Sequence, residues 1–260
     1  MPAPVAADLI AFANHLADLA GDILRAKAAL PPAVEIKPDG TPVTDADRAV
    51  ETAVRAEIMR AYPTHGIRGE EFPAHQPDAA HVWIIDPLDG TKEYTLGLPL
   101  WGFLLALVHD GRFVLGLADQ PQLRHRWLGA DGHGTTRNGA PVRVSTCATL
   151  ADATISTMGY DTFCAHRHDV LARLRGHARA AITADSFYVF GLLAEGRVDV
   201  IASDGFALHD HAALDAIVRN AGGTVTDWDG NPLTPEHAGT ILAAATPSLH
   251  AETLALLKRA

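Results

Sequence analysis

The sequence predicts a mixed α and β fold built in stacked layers, and three observations carry that expectation. The N-terminal part places apolar residues at helical spacing. The middle of the chain carries short apolar runs punctuated by Gly and Asp, and from about residue 150 the two patterns alternate. Interleaved helices and strands bury their apolar faces only by packing helix layers on sheet layers. With 260 residues the chain can form one large domain or two closely packed smaller ones around a substantial core.

Taken in order, Leu9, Phe12, Leu16, Leu19 and Ile23 recur at spacings of three and four and predict a helix over 8–29. A Pro- and Gly-containing loop follows over 31–42. Thr44 or Asp45 caps a second helix reaching about Ala61, with Val50, Val54 and Ile58 on one face and Tyr62-Pro63 as its stop. Residues 81–86 form a short apolar strand. The runs 100–108 and 112–118 read as a hairpin turned at His109-Asp110-Gly111, and 124–128 as another strand. The Gly-rich stretch 129–139 reads as a turn region, with Asn138-Gly139 a tight-turn pair before a strand over 142–145. Beyond it, strands are expected over 153–157, 180–184, 198–202, 224–227 and 240–244. Helices are expected over 169–175, 187–194, 210–220 and 248–258. A soft boundary falls near 138–150.

Composition removes several functional classes. A formal net charge of −10 argues against a nucleic-acid partner, because such proteins present a basic face. An acidic protein that handles an anionic substrate must supply positive charge locally, and metal ions are one means. Cys147 and Cys164 match no zinc-ligand spacing and make no disulfide framework, so reduced thiols and a cytoplasmic location are expected. Residues 1–24 lack a basic start and are interrupted by Asp8, Asp18 and Asp22, which fits neither a signal peptide nor a membrane span.

The chemistry centres on Asp86-Pro87-Leu88-Asp89-Gly90-Thr91. A buried strand delivers Asp86, and Pro87, with no N–H, ends regular pairing. The turn can aim Asp86, the Leu88 carbonyl and Asp89 at one point, and these are hard oxygen donors suited to Mg²⁺. If a helix begins there, the amides of Gly90 and Thr91 can receive a phosphate. Taken alone, each acidic position also has a plain structural explanation. Asp86–Gly90 fits an ordinary Asp-Gly turn, Gly69-Glu70-Glu71 a solvated turn, Asp210 a helix N-cap, and Asp47 a helix-start acid favoured by the dipole.

Read together, the segments Lys37–Asp47, Gly69-Glu70-Glu71, Trp83–Thr91 and Asp210 with Ala212-Ala213 and Ala221-Gly222-Gly223 resemble the inositol monophosphatase family of metal-dependent phosphatases, over essentially the whole chain. The resemblance implies a layered α-β-α-β-α sandwich of the inositol monophosphatase and fructose-bisphosphatase type. It implies an N-terminal part, 1–140, carrying most metal ligands, and a C-terminal part, 141–260, supplying Asp210 and the substrate pocket wall. It also implies two or three Mg²⁺ ions per site. Glu70, Asp86 and the Leu88 carbonyl would hold the first, Asp86, Asp89 and Asp210 the second, and Glu70 would touch a third. Asp47 and Thr91 would orient the attacking water, which the cations activate, and Gly90 and Thr91 would bind the phosphate. A homodimer is implied as well. The family usually places an aromatic residue before the last metal aspartate, and here it is His209, which changes the wall beside that ligand. Lys37 resembles a basic loop residue near the site, although its sequence context also fits an exposed loop lysine.

Within the family the closer resemblance is to the histidinol-phosphatase branch, through Lys37-Pro38-Asp39 with Thr41-Pro42-Val43-Thr44, Asp89-Gly90-Thr91-Lys92, Gly97–Gly102, Gly116–Pro121, Arg126-Trp127 and Gly223–Trp228. Asp185 and Ser186 lie where family members contact the organic part of the substrate, together with Asp89 and Asp210. An acid at 185 suits the ammonium group of histidinol phosphate and equally fits a helix cap. Ser203 stands where many members carry a substrate-contacting glutamate, with Asp204 beside it. The expected function is therefore hydrolysis of histidinol phosphate in histidine biosynthesis. An inositol-1-phosphatase or a broad sugar or nucleotide phosphatase is the alternative, and a non-catalytic metal-binding regulator the alternative of a different class. Among the fourteen histidines, His209 or His211 could orient Asp210.

Overall fold

The computed structural model describes residues 3–38, 40–157, 168–184 and 186–258. The N-terminal segment gives α1 (Ala7–Ala28), a short antiparallel hairpin of β1 (Val34–Ile36) and β2 (Pro42–Thr44), and α2 (Asp45–Ala61). A seven-stranded sheet follows in sequential order: β3 (Gly66–Gly69), β4 (His81–Asp89), β5 (Gly102–His109), β6 (Arg112–Gln120), β7 (His125–Ala130), β8 (Gly134–Arg137) and β9 (Ala140–Val142). One helical turn, α3 (Thr91–Thr95), separates β4 from β5. The C-terminal segment gives β10 (Thr154–Thr157), α4 (His168–His177), β11 (Ala180–Thr183), α5 (Tyr188–Ala194), β12 (Val200–Phe206), α6 (Leu208–Asn220), β13 (Thr224–Thr226), β14 (Gly239–Ala244) and α7 (Pro247–Leu257). Its strands form a five-stranded sheet in the order β11-β10-β12-β14-β13.

Three apolar cores hold five layers together, and the middle core encloses a helical layer. The first lies between α1 and α2 and the larger sheet, and takes Leu16 and Leu24 from α1, Val50 and Val54 from α2, and Trp83, Ile85, Phe103, Leu105 and Leu107 from the sheet. The second lies between the two sheets and takes Ile84, Leu104 and Ala106 from one and Ile201, Ile241 and Ala243 from the other, with α5 and α6 between them. The third takes Val200, Ala202, Leu242 and Ala244 together with Val170, Leu174 and Leu249 of α4 and α7. Successive residues of β4, β5, β12 and β14 therefore enter different cores. A strand buried on both faces reads as a continuous apolar run, which is why 81–86 and 240–244 lack an alternating pattern. The α-β-α-β-α order expected from the resemblance is the order observed.

Two sequence expectations change. The stretch 129–139 is more than a turn, since β8 pairs with β7 within it. Gly129, Gly132 and Gly134 make it read as a turn, but Thr135 and Thr136 supply strand residues between Gly134 and Gly139. Asn138 and Gly139, both at positive φ (48° and 80°), then close a two-residue hairpin into β9, so the last strand is 140–142 and not 142–145. The loop expected over 31–42 contains the β1–β2 hairpin, whose three-residue strands are too short to show a period. No helix among the described residues is long and apolar enough to cross a membrane.

Helix α6 fixes the two sheets to each other. It packs on β4, β5, β6, β7 and β13, and its approach to β6 needs Gly116, because a Cβ there would collide with the Ala213 carbonyl. A Gly116→Val substitution is therefore expected to destabilise the protein by about 3 kcal/mol or more, through overpacking against backbone that cannot yield. A urea-unfolding midpoint equal to that of the wild type would count against this packing.

Candidate active site

The site begins with a defect in β4. On a regular strand, residues three apart point to opposite faces, so Asp86 and Asp89 should diverge. Pairing of β4 with β5 shifts register between these two residues, where Pro87 has no N–H to contribute. The irregularity turns both carboxylates to the same side. The chain then enters α3 through Gly90 at φ 81°, where a Cβ would stand 2.7 Å from the Leu100 carbonyl oxygen. Tyr94 packs edge-on against Trp101 and holds the turn of helix in place.

Each acid is oriented by a backbone N–H. Leu88 N donates to Asp86 Oδ1 at 3.0 Å, Phe187 N to Asp89 Oδ2 at 3.4 Å, and Ala207 N to Asp210 Oδ2 at 2.6 Å. Asp210 is thus not the N-cap of α6. Ala207 holds that position, and Asp210, three residues on, accepts its N–H. The preference of aspartate for N-caps hid this, because the actual cap has no polar side chain. Asp47 does the same job at the start of α2, where its Oδ2 accepts from Thr44 N (2.8 Å) and Thr44 Oγ1 (2.6 Å). Its other oxygen, Oδ1, faces Thr91 Oγ1 at 3.3 Å, and that hydroxyl also lies 3.0 Å from the Leu88 carbonyl.

The structure brings most of the expected residues together. Asp86, Asp89 and Asp210 each offer an oxygen within 4.8 Å of the others. Glu70, just past β3, forms a second such group with Asp86 and His209, so Asp86 belongs to both. The Leu88 carbonyl and the Gly90–Thr91 turn border the same cavity, of 260 Å³, which Thr41, Pro42, Glu93, Ser186, Asp204 and Phe206 also line. The Ser186 hydroxyl donates to the Leu100 carbonyl and accepts from Tyr188 N. Asp185 lies outside the described residues. Ser203 is fully buried, and the bulge that follows it in β12 carries Asp204 out to the cavity wall.

Lys37, His209 and His211 occupy different places around the acids. Lys37 is not an exposed loop lysine: its Nζ donates to Glu70 Oε1 (2.7 Å) and Glu71 Oε1 (2.5 Å). Burial opposes its charge, but these two bonds outweigh burial and hold its pKa above the ordinary lysine value. His209 Nε2 lies 3.4 Å from Asp210 Oδ1 and 4.0 Å from Glu70 Oε2. His211 does not orient Asp210, since it is buried against Phe113 with Nε2 on the His237 carbonyl. A larger hollow of 610 Å³ lies beside α1 and β7, but its Arg126 is already paired with Asp119 and Asp18.

The electrostatics of the group are unfavourable as it stands. Asp86 is 2% exposed, and its pKa is raised well above the carboxylate range, first by burial and then by Glu70, Asp89 and Asp210. Asp89 is raised well above it by burial and by Asp210. Asp210 is raised by burial, with His209 opposing. Burial also raises Asp47 against the hydrogen bonds from Thr44. A divalent cation among these oxygens would reverse the repulsion, and the all-oxygen group of Asp86, Asp89 and Asp210 fits a hard cation such as Mg²⁺.

Together, the fold and the donor set define a class: a metal-dependent phosphomonoester hydrolase. The chain belongs to the inositol monophosphatase family, whose model matches residues 6–260. It is similar to a histidinol-phosphatase of Mycobacterium tuberculosis, with 38% identity over 260 residues, covering 96% of this chain and 98% of the relative. It is also similar to a probable inositol 1-monophosphatase of the same species, with 35% identity over 224 residues, covering 82% of this chain and 81% of the relative. Among solved structures, an inositol monophosphatase from Zymomonas mobilis superposes with a TM-score of 0.88 at 35% identity, over 98% of this chain and 100% of that one.

Because the site carboxylates hold protons above their ordinary range, cation binding must displace them. Adding Mg²⁺ to unbuffered protein at about pH 5.5, above the ordinary carboxylate pKa range, is expected to release protons, and Asp86→Asn should release fewer. A pH-stat reads both, and binding without proton release would contradict the raised values.

Proposed function

We propose that the chain hydrolyses histidinol phosphate to histidinol and phosphate, as a cytoplasmic Mg²⁺-dependent homodimer serving histidine biosynthesis. The observation that carries the catalytic reading is the placement of the Asp47–Thr91 pair beside two carboxylate groups that share Asp86. A protein that only bound metal would have no use for a buried carboxylate–hydroxyl pair at that point.

In this reading, Glu70, Asp86 and the Leu88 carbonyl hold one cation, and Asp86, Asp89 and Asp210 a second, with Glu70 within reach of a third. When bound, such cations polarise the phosphoryl oxygens, ease deprotonation of water and stabilise the leaving oxygen. The protein's own contribution is positional. Thr91 and Asp47 orient the water for in-line attack. Asp47 accepts the proton, helped by burial that lifts its pKa towards the working range of a general base. The Gly90 and Thr91 amides border the phosphate, and Gly90, with no Cβ, lets this turn pass close to the Leu100 carbonyl.

Two considerations support histidinol phosphate. The similarity to the M. tuberculosis histidinol-phosphatase runs nearly end to end. Glu93, Asp204 and Ser186 also line the cavity, and carboxylates there suit a cationic substrate tail better than a neutral polyol. Inositol 1-phosphate is the second reading, favoured by the similarity to the Zymomonas mobilis enzyme.

Phosphate release from histidinol phosphate, inositol 1-phosphate and glycerol phosphate, with and without Mg²⁺, tests both levels. Histidinol phosphate should give the highest kcat/KM, and Asp86→Asn should lower it on the order of a thousandfold, the equivalent of about 4 kcal/mol of transition-state stabilisation. Near-wild-type activity in Asp86→Asn would overturn the site assignment. Equal or better turnover of inositol 1-phosphate would overturn the substrate assignment alone.

A further inference from the structure

The residue before the last metal aspartate is His209, and its surroundings give it more than a place in the wall. It sits in the first turn of α6, one residue ahead of Asp210. Lys37 takes Oε1 of Glu70, which leaves Oε2 on the side of His209, 4.0 Å from the imidazole Nε2. Donor atoms of Glu70, Asp86 and His209 all lie within 4.8 Å of one another. Two donors on one ion stand at most about 4.2 Å apart, twice a metal–nitrogen distance of about 2.1 Å. The Glu70–His209 separation is already inside that limit. The other neighbour of Nε2, Asp210 Oδ1, is at 3.4 Å, longer than a charge-assisted hydrogen bond. Asp210 spends its Oδ2 on Ala207 N, so Oδ1 remains for the oxygen-only group with Asp86 and Asp89.

We propose that His209 is a nitrogen donor to the cation held by Glu70 and Asp86, and that it makes this position prefer a first-row transition ion such as Mn²⁺ over Mg²⁺. The neighbouring position, built from Asp86, Asp89 and Asp210, has only carboxylate oxygens and keeps the hard-ion preference. The physical basis is donor softness: imidazole nitrogen suits transition ions, whereas Mg²⁺ is held best by oxygen. An aromatic hydrocarbon at position 209 could not make this distinction, so the two cation positions of this chain differ in chemistry and not only in ligand count. The inference rests on the reading that the carboxylates hold cations.

The test is electron spin-echo spectroscopy of the full-length protein loaded with Mn²⁺, together with calorimetric titrations of Mn²⁺ and of Mg²⁺. The wild type should show nitrogen-14 modulation from a coordinated imidazole. His209→Phe should lose it and should bind Mn²⁺ about tenfold more weakly at one position, with Mg²⁺ affinity changed less than about twofold. The wild-type spectrum is decisive even if the variant folds poorly. Bound Mn²⁺ with no nitrogen modulation, or modulation that persists in a folded His209→Phe, overturns the proposal and leaves the carboxylate metal centre standing. Equal weakening of Mn²⁺ and Mg²⁺ would also overturn it, because His209 would then act only through its charge beside Asp210. Failure of the wild type to bind either ion would overturn both the proposal and the metal reading beneath it.

Discussion

Glu70, Asp86, Asp89 and Asp210 repel one another, and the fold holds them together regardless. None of Asp86, Asp89 and Asp210 is kept in place by a neighbouring cationic side chain alone. Each is fixed by a backbone N–H from Leu88, Phe187 or Ala207, and those amides belong to a strand defect, the entry to α5 and the entry to α6. Backbone donors of this kind are set by secondary structure and do not relax when charges crowd. The cost appears as raised carboxylate pKa values, and a cation among these oxygens would offset it. The rest of the architecture can be understood as the means of keeping three independent elements in register at that point.

The layers supply that register. β4 is buried on both faces, so its C-terminal end cannot move without disturbing two cores at once. α6 sits between the sheets and brings Asp210 to the end of β4 from a part of the chain more than a hundred residues away. α2 presents Asp47 from the opposite layer, through a helix start where Thr44 and Asp47 satisfy each other. The Asp47–Thr91 contact is thus a junction between the outer helical layer and the larger sheet, and the residues proposed to handle water are held by packing on both sides.

Much of this was legible in the sequence. Long periodic helices such as α1 and α2 were located to within a residue or so, because their apolar spacing and the Thr44 cap are local signals. The Asp86–Thr91 turn was legible because Pro87 and Gly90 announce a break. Other features were not. Whether Asp86 and Asp89 face the same way depends on a register shift that only the partner strand β5 reveals. Asp210 looked like a cap because aspartate is a good one, and only coordinates show Ala207 in that role. β8 was masked by its flanking glycines, which serve close packing and turns and do not signal the absence of a strand. The role of Lys37 was hidden because its partners, Glu70 and Glu71, lie in another loop. His209 looked like a change of wall material because no sequence pattern places an imidazole near a glutamate 139 positions away.

The position of α6 also bears on how the chain is made. Of the strands it packs on, β4 to β7 of the larger sheet are complete by Ala130, yet the helix itself begins only at Leu208. At synthesis rates of about 5–20 residues per second, the inner face of the larger sheet, with Leu104, Ala106, Val108 and Trp127, waits in water for about 4–16 s before its cover emerges from the ribosome. During that interval the nascent chain presents a broad apolar surface, and its acidic cluster is incomplete, since Asp210 arrives with the same helix. The newly made protein is therefore most vulnerable to aggregation while this surface is uncovered, and a chaperone that shields 102–130 would protect it at that stage.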